Sequence, residues 1–134
     1  MKHVLAIVTL LIAGCSSSAN IKLAEQAIPL FHEMLDASQF DEIYAASAED
    51  LKKVADKKEF VTLLEAVHRK LGNTKASAQK GWNVNYHTSG AFVTLTYATT
   101  YAEGEASERF VYRMQGSTAL LAGYHINSNA LLVK

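Results

Sequence analysis

Residues 92–101 read FVTLTYATTY, and this stretch decides which class of fold the chain adopts. Apolar and aromatic residues alternate with threonine over residues 93–97, and such β-branched and aromatic side chains pack well on a pleated sheet. Because successive side chains of a strand point to opposite faces, the alternation predicts a long strand with one buried face. Turn-forming residues bound it on both sides, Thr88-Ser89-Gly90 before it and Glu103-Gly104-Glu105 after it.

The sequence on either side of this strand repeats the same pattern. Residues 83–87 close an earlier strand, residues 106–114 form a third and residues 119–128 a fourth, with Gln115-Gly116-Ser117 between the last two. Strands that follow one another through short turns containing glycine are typical of antiparallel sheets. We therefore predict a four-stranded antiparallel sheet in the C-terminal half of the chain.

The N-terminal half has a helical period instead. From about Asn20 to Leu71, apolar residues recur every three or four positions, which predicts three or four helices with one apolar side each. Pro29 lacks a backbone N–H and predicts a kink or a new helix start. Capping signals bound the helices at Ser38 with Asp41, Ser47 with Asp50, Asp56, and Gly72 with Asn73. Helices followed by strands predict an α+β fold in which the helices cover one face of the sheet.

Several segments resemble the nuclear transport factor 2-like superfamily, also called the cystatin-like α+β fold, and within it bacterial lipoprotein families of unknown function. The segments are Met34-Leu35-Asp36, Phe40-Asp41-Glu42-Ile43-Tyr44, Phe60 to Gly72, Val93-Thr94-Leu95-Thr96-Tyr97 and Glu108-Arg109-Phe110. The resemblance implies N-terminal helices packed on the concave side of a curved four-stranded antiparallel sheet. It offers no shared catalytic residue to carry over.

The first fifteen residues have the order of a bacterial secretion signal. Lys2 supplies a positive start, Val4 to Ile12 form an apolar run of nine residues interrupted only by Thr9, and the small pair Ala13-Gly14 precedes Cys15. A run of nine residues is too short to cross a bilayer, which needs about 20 helical residues. Leu11 to Cys15 resemble the lipobox of lipoprotein precursors, which implies removal of residues 1–14 and a covalent lipid on Cys15. The alternative is an ordinary secretory signal with a chance cysteine.

These patterns predict three segments of chain. Residues 1–14 are the lipoprotein signal peptide, residues 15–20 are the lipidated cysteine and a serine-rich tether, and residues 21–134 form a single α+β domain. The lipoprotein resemblance implies attachment to the bacterial cell envelope through the lipid. Ser16, after the cysteine, implies the periplasmic face of the outer membrane. The lipid on Cys15 is the one cofactor expected.

The charge, cysteine and histidine content of the sequence argues against nucleic-acid binding, disulfide bonds and bound metals. Removal of Lys2 with the signal leaves 12 basic and 13 acidic residues, a nearly neutral domain. Proteins that bind nucleic acids usually carry a clustered positive face, so we expect no nucleic-acid partner. Cys15 is the only cysteine, so its acylation would leave no disulfide. The histidines lack the spacing of a zinc site, and we expect no bound metal.

No motif of an established catalytic class is present. There is no G-x-S-x-G elbow and no G-x-G-x-x-G loop, so serines in the turns are interpreted as turn residues. Glu108 shares the strand face of Phe110, and if that face points inward a buried Glu108 at the rim would have a raised pKa. We predict no catalytic residue. The candidate pocket or interface residues are Tyr97, Tyr101, Glu108, Phe110, Tyr112 and Tyr124.

The stretch from Gly81 to Ala102 contains no Asp, Glu, Lys or Arg, although it is rich in threonine and aromatic residues. A long uncharged strand on an open sheet is suited to pairing or docking. We therefore expect a protein contact there, either a homodimer formed through the sheet or an envelope protein partner.

Three functions remain open from the sequence. The leading hypothesis is a non-enzymatic, lipid-anchored periplasmic module that binds a protein or a small apolar ligand. The second is a small enzyme with a cone-shaped pocket and a glutamate or tyrosine as acid or base. The third is an inhibitory or immunity-type lipoprotein that blocks an envelope enzyme or channel.

Overall fold

The structure, a computed structural model, describes residues 17–132. Four helices come first and four strands follow, as predicted, with a short helix at the end. In chain order the elements are α1 (Ser17–Asp36), α2 (Phe40–Ala45), α3 (Glu49–Val54), α4 (Lys57–Leu71), β1 (Thr74–His87), β2 (Gly90–Tyr101), β3 (Gly104–Gln115), β4 (Thr118–Asn127) and α5 (Asn129–Leu132). The strands form one antiparallel sheet in the order β1-β2-β3-β4, which confirms the predicted fold class.

The helices pack on one face of the sheet, here called the inner face. In β2 the side chains of residues 93, 95, 97, 99 and 101 are buried, while the intervening ones are not. This is the alternation that the sequence of β2 predicts. Apolar side chains of α1 and α4 meet this face in a single core that includes Leu35, Leu64, Leu95 and Phe110. Burial of each such side chain contributes roughly 1.5–3 kcal/mol, so this contact holds the helices to the sheet.

Bulges interrupt two of the strand pairs. In β1 the extra residues are Lys75 and Lys80. Thr74 and Ala76, on the two sides of Lys75, oppose consecutive residues of β2. The same is true of Gln79 and Gly81, on the two sides of Lys80. In β4, Ala122 is the extra residue against β3. A bulge shifts the alternation by one position, so residues on the two sides of it face the same way at an odd spacing.

β1 differs from its prediction in length and environment. It runs from Thr74, well before the predicted segment 83–87, and it lies at the edge of the sheet. Most of its side chains are exposed, including Trp82 and Tyr86. The small and polar residues at its start hide the strand period from sequence analysis.

α1 begins earlier and continues further than predicted. It starts at Ser17, so Ser17 to Asn20, expected as part of the tether, are helical, and Asn20 is buried. It also runs through Pro29 without a new start. The buried neighbours Ile28 and Phe31 fix this segment of the helix against the core, which offsets the missing hydrogen bond. Cys15 and the predicted signal peptide lie outside the described residues.

Two of the predicted helix boundaries are confirmed and two are displaced. Asp56 caps α4, accepting the N–H of Glu59 at 2.8 Å, and Gly72 ends it with φ +73°. The cap positions of α2 and α3 are Gln39 and Ala48, which make no side-chain capping bond. The Ser47 hydroxyl instead donates to the carbonyl of Ile43. These helices have six residues each and depend on packing more than on caps.

Contacts with β3 and β4 fix the short helix α3. The backbone N–H of Ala48 donates to the carbonyl of Leu121 at 2.8 Å. Arg113 of β3 donates twice to the carboxylate of Asp50 in α3, at 2.6 and 2.7 Å, and also to the carbonyl of Ser89. Such a paired geometry sets orientation as well as position. None of the helices within residues 17–132 has the length and apolar character needed to cross a bilayer.

Candidate functional site

A buried carboxylate lies at the centre of the inner face. Glu108 of β3 has the same orientation as Phe110, two residues further on, and its side chain is completely buried. Removing a carboxylate from water costs several kcal/mol unless charged or polar partners replace the water. The partners of Glu108 therefore determine what this residue can do.

Three donors contact the carboxylate. Nε2 of His32 donates to Oε1 at 2.8 Å, and the hydroxyls of Tyr101 and Tyr124 donate to Oε2 at 2.8 and 2.5 Å. The side chain of Thr99, whose hydroxyl is hydrogen-bonded to that of Ser77 at 2.9 Å, also favours the ionised form of Glu108. A carboxylate has about four lone-pair positions, so these hydrogen bonds occupy most of its capacity as an acceptor. We call these five residues the Glu108 cluster.

The five members of the cluster come from four elements of the fold, with Thr99 and Tyr101 both in β2. His32 belongs to the apolar side of α1, one turn after Ile28, and Tyr101 is the last residue of β2. Tyr124 is brought inward by the bulge at Ala122, which places it opposite Phe110 in the register of β3 and β4. The rings of His32 and Tyr124 pack against that of Phe110 at 5.9 and 5.2 Å between centroids.

The cluster fixes the charge of its members. Burial by itself raises the pKa of Glu108, but the hydrogen bonds from His32, Thr99 and Tyr124 and the nearby imidazole outweigh it and hold the pKa below its ordinary value. Burial, together with the Glu108 charge, raises the pKa of Tyr101 and Tyr124. Glu108 is thus ionised at neutral pH, and both tyrosines stay protonated as donors.

This result corrects the expectation for Glu108. The sequence suggested a place at the rim and a raised pKa, whereas the carboxylate is in the interior and its pKa is lowered. The reason is the number of donors, which the sequence does not reveal. An ionised carboxylate that already accepts three hydrogen bonds is a poor proton acceptor, but it can hold an imidazole in one orientation.

The cluster reaches the surface through His32. A groove of about 300 Å³ lies between α1 and β1, and the His32 ring, only 6% exposed, forms part of its wall. We call it the α1–β1 groove. Its lining consists of Glu25, Ile28, Pro29, His32, Thr74, Lys75, Ala76, Ser77 and Tyr97. Charged, hydroxyl and apolar groups therefore converge beside one imidazole.

Tyr97 and Glu25 interact across this groove. Burial raises the pKa of Tyr97, and the negative charge of Glu25 raises it further. The Tyr97 hydroxyl thus remains protonated and is a hydrogen-bond donor on the groove wall. Lys75, an extra residue in the first bulge of β1, supplies a positive charge on the same groove.

A larger groove of about 500 Å³ lies near α3 and the turns of the sheet. Its lining includes Asp50 and Arg113, which are committed to each other by two hydrogen bonds. Hydrogen bonding from Arg113, together with its charge, lowers the pKa of Asp50. Because these charges already neutralise one another, this groove is a weaker candidate for a polar ligand than the α1–β1 groove.

The structure separates the predicted site residues into three groups. Tyr101, Glu108 and Tyr124 meet in the cluster, and Tyr97 lines the groove. Phe110 and Tyr112 stack in the core with ring centroids 6.2 Å apart. Cys15 lies outside the described residues. Among residues 17–132, no group of His, Cys, Asp and Glu side chains is arranged to hold a metal ion.

Sequence analysis did not connect His32 with Glu108. It considered the histidines only as possible zinc ligands. The position of His32 beside Phe31 and one turn from Ile28, on the apolar side of α1, was the available signal. A histidine on the buried side of a helix needs a buried hydrogen-bond partner. Glu108, an acid on the inward face of a strand, supplies that partner.

Comparisons with known proteins agree with this architecture. A family model described as "Protein of unknown function (DUF4019)" matches residues 29–124. Among curated proteins, none matches the sequence.

Two solved structures share the fold. A protein from Catenulispora acidiphila has a TM-score of 0.54 at 15% identity, covering 87% of this chain and 96% of that one. A protein from Novosphingobium aromaticivorans described as "Putative Scytalone Dehydratase" has a TM-score of 0.52 at 9% identity, covering 85% and 89%. At such identities the likeness concerns the nuclear transport factor 2-like fold alone.

Proposed function

The chain belongs to the DUF4019 family of proteins of unknown function, and from that premise we propose that it is a lipid-anchored protein of the bacterial envelope that binds a small molecule in the α1–β1 groove. The observation that carries the proposal is the double role of His32. One side of its ring is fixed by the buried Glu108 carboxylate, and the residue also forms part of the groove wall. A rigidly held polar group beside a groove is typical of a binding site.

The groove lining indicates the class of ligand. Ile28, Pro29 and Ala76 offer apolar contact, while Glu25 and Lys75 carry opposite charges. A volume of about 300 Å³ is at the small end of ligand sites. We propose a small, partly apolar molecule with both a cationic and an anionic or hydrogen-bonding group. Its polar end would reach His32 or the hydroxyl of Tyr97.

The lipid anchor is supported by the sequence of residues 1–15. An apolar run ends in Leu-Ile-Ala-Gly-Cys, and the cysteine is the only one in the chain. Two or three acyl chains on one residue hold a protein to a bilayer far longer than one chain does. The peptide containing Cys15, isolated from cells that express the full gene, should carry a diacylglyceryl mass. An unmodified thiol would remove the anchor from the proposal.

Ligand binding is tested by NMR on the Cys15→Ser form labelled with ¹⁵N. A fragment library of zwitterionic and neutral molecules should shift amide signals of Glu25, Ser77 and Tyr97 together. His32→Gln should weaken these shifts, because the amide can still donate to Glu108 but cannot replace the ring. His125→Gln, an exposed histidine of β4, is the matched control and should bind as the unchanged protein does. Shifts confined to other surfaces would contradict the groove.

A second function, acid–base catalysis, is favoured by the His32–Glu108 pair. A carboxylate that orients an imidazole is the arrangement in which histidine transfers protons in many enzymes. We rank it below binding because the other partners of Glu108 are structural donors within the core. NMR spectra of the small molecule, recorded over hours, distinguish the two functions. A binding protein leaves the spectrum of its ligand unchanged. An enzyme produces signals of a new product, and these should be absent with His32→Gln.

A further inference from the structure

Two large aromatic side chains of β1 are exposed on one face. Trp82 is 61% exposed and Tyr86 is 62% exposed. They oppose Leu95 and Ala91 of β2, so both lie on the inner face, where the helices leave the sheet edge uncovered. A tryptophan and a tyrosine on the same face of one strand form an amphipathic surface, with apolar rings and polar N–H and O–H groups.

This surface is next to the start of α1. The Tyr86 hydroxyl and the Ser17 hydroxyl are joined by a hydrogen bond of 2.6 Å. At the other end of the helix, Asp36 accepts two hydrogen bonds from Thr74, the first residue of β1. α1 therefore runs antiparallel to β1, and its first residue lies beside the exposed aromatic end of the strand.

Covalent geometry limits how far Cys15 is from this surface. Two residues of extended chain span at most about 7 Å, so the Cα of Cys15 lies within that distance of the Cα of Ser17. Because the Ser17 hydroxyl contacts Tyr86, any lipid on Cys15 enters a bilayer close to this end of β1. The helical start at Ser17 leaves no long tether between the domain and the membrane.

We propose that Trp82 and Tyr86 lie in the headgroup region of the membrane that the lipid on Cys15 enters, and so fix the orientation of the domain on the bilayer. This inference rests on the proposed lipid anchor. Tryptophan and tyrosine are the residues most enriched at membrane–water interfaces, where the ring is partly apolar and the polar atom stays wet. The two residues are separated by four strand positions, about 13 Å, which requires β1 to lie along the membrane surface.

The charges around the surface are compatible with a bilayer. No Asp, Glu, Lys or Arg occurs from Gly81 to Ala102, so no charge on this part of β1 must lose its water. The first turn of α1 contains no acid, and the first charged residue of the helix is Lys22, which is exposed. An exposed lysine near the start of α1 favours the anionic lipids of bacterial membranes.

Pairing with a strand of a second copy fits this edge less well. The first half of β1 contains the bulges at Lys75 and Lys80, and bulges with lysine are devices that prevent edge-to-edge pairing. The aromatic pair points away from the plane of pairing, toward the face on which α1 lies. A flat lipid surface contacts a face of the strand and needs no unpaired backbone.

The test uses the fact that Trp82 is the single tryptophan of the chain. The lipidated protein, purified from expressing cells, is reconstituted into vesicles of phosphatidylethanolamine and phosphatidylglycerol. Fluorescence of Trp82 should shift to shorter wavelength on reconstitution, lose accessibility to acrylamide, and be quenched by lipids brominated in the upper acyl chain. Emission that stays at the position seen without vesicles, with full acrylamide quenching, would overturn the inference.

A matched variant moves the tryptophan to the opposite edge of the sheet. Val54 is 81% exposed beside β4, so Trp82→Phe with Val54→Trp gives an equally exposed reporter far from β1. Its emission should not change on reconstitution. Equal quenching of both reporters would mean that the domain has no fixed orientation, which would also overturn the inference.

Two further outcomes separate this inference from the anchor itself. A blue shift of Trp82 without vesicles that grows with protein concentration would show that a second copy covers the surface, and would overturn the membrane contact. The mass of the Cys15 peptide is read on the same sample. An acylated Cys15 with unquenched Trp82 refutes the inference and leaves the anchor intact, whereas a free thiol refutes both.

Discussion

Glu108 shows how one buried charge organises a core. Its ionised form is tolerated because His32, Tyr101, Tyr124 and Thr99 replace the water that burial removes. Such a network stabilises the native structure over alternatives only while every member is satisfied. The same network explains why two tyrosines of the core turn their hydroxyls toward one point.

The Glu108 cluster predicts a defined dependence of stability on pH. The pKa of Glu108 is below its ordinary value of 4.5 in the folded protein, so the unfolded chain binds the proton more tightly. Its contribution to the free energy of unfolding is therefore fully present above about pH 4.5 and is lost as the pH falls through the folded pKa. Glu108→Gln should lower stability at neutral pH by about 2–4 kcal/mol, and less in acid.

Urea unfolding followed by circular dichroism over this pH range measures the effect. Glu105→Gln, an exposed acid on the same strand, is the control and should change stability by less than about 0.5 kcal/mol. If the difference between the Glu108→Gln protein and the unchanged protein stays constant down to acid pH, Glu108 does not titrate as described.

Three of the five cluster members, Tyr101, Glu108 and Tyr124, were among the candidate residues named from the sequence. The shared face of Glu108 and Phe110 follows from strand alternation, and burial of that face follows from the apolar pattern. The partner on α1 could not be derived, because His32 and Glu108 are 76 residues apart and their contact depends on how the helix sits across the strands. Tyr124 reaches the inner face through a bulge that alternation does not reveal.

At the scale of elements, some helix ends are determined by local capping bonds and others by contacts that are distant in sequence. Asp56 makes the capping bond of α4, whereas Ser38, which was expected to cap α2, lies outside the helix with φ +58°. A capping bond is local and is readable from the sequence. The position of α3 depends instead on contacts with β3 and β4, those of Asp50 and Ala48, which are distant in sequence. α2 packs against α1 and α4.

Substitution of Asp56 and of Ser38 distinguishes a residue that caps a helix from one that does not. Asp56→Ala should lower the free energy of unfolding by about 1 kcal/mol, since it leaves an amide at the start of α4 without its acceptor. Ser38→Ala should change it by less than about 0.5 kcal/mol. Thermal unfolding of both variants at neutral pH provides the measurement, and equal losses would contradict the capping assignment.

At the scale of the whole molecule, stability is distributed unevenly across the sheet. β2 and β3 are central strands whose inner residues are buried, while β1 is an edge strand exposed on most of its length. The sequence predicted the number of strands and their order along the chain. It could not show which strand lies at an edge, because the second half of β1 has the same uncharged character as β2.

Amide hydrogen exchange should follow this distribution. In the Cys15→Ser protein, amides of β2 and β3 should exchange near the rate of global unfolding, and outward-facing amides of β1 should exchange much faster. Mass spectrometry of proteolytic peptides from residues 74–87 and 90–101 gives the comparison. Equal protection of both peptides would mean that β1 is covered in solution, as a sheet-mediated homodimer would require.

The bulge at Lys80 has a consequence at the level of the gene. Gln79 and Trp82 share a face although three positions separate them, because the bulge accommodates the extra lysine. Loss of the three nucleotides of that codon would leave these two residues two positions apart, and ordinary strand alternation would keep them on the same face. The inward orientation of the indole therefore tolerates deletion of this codon, which would make the strand regular without reversing the side on which the aromatic ring is shown.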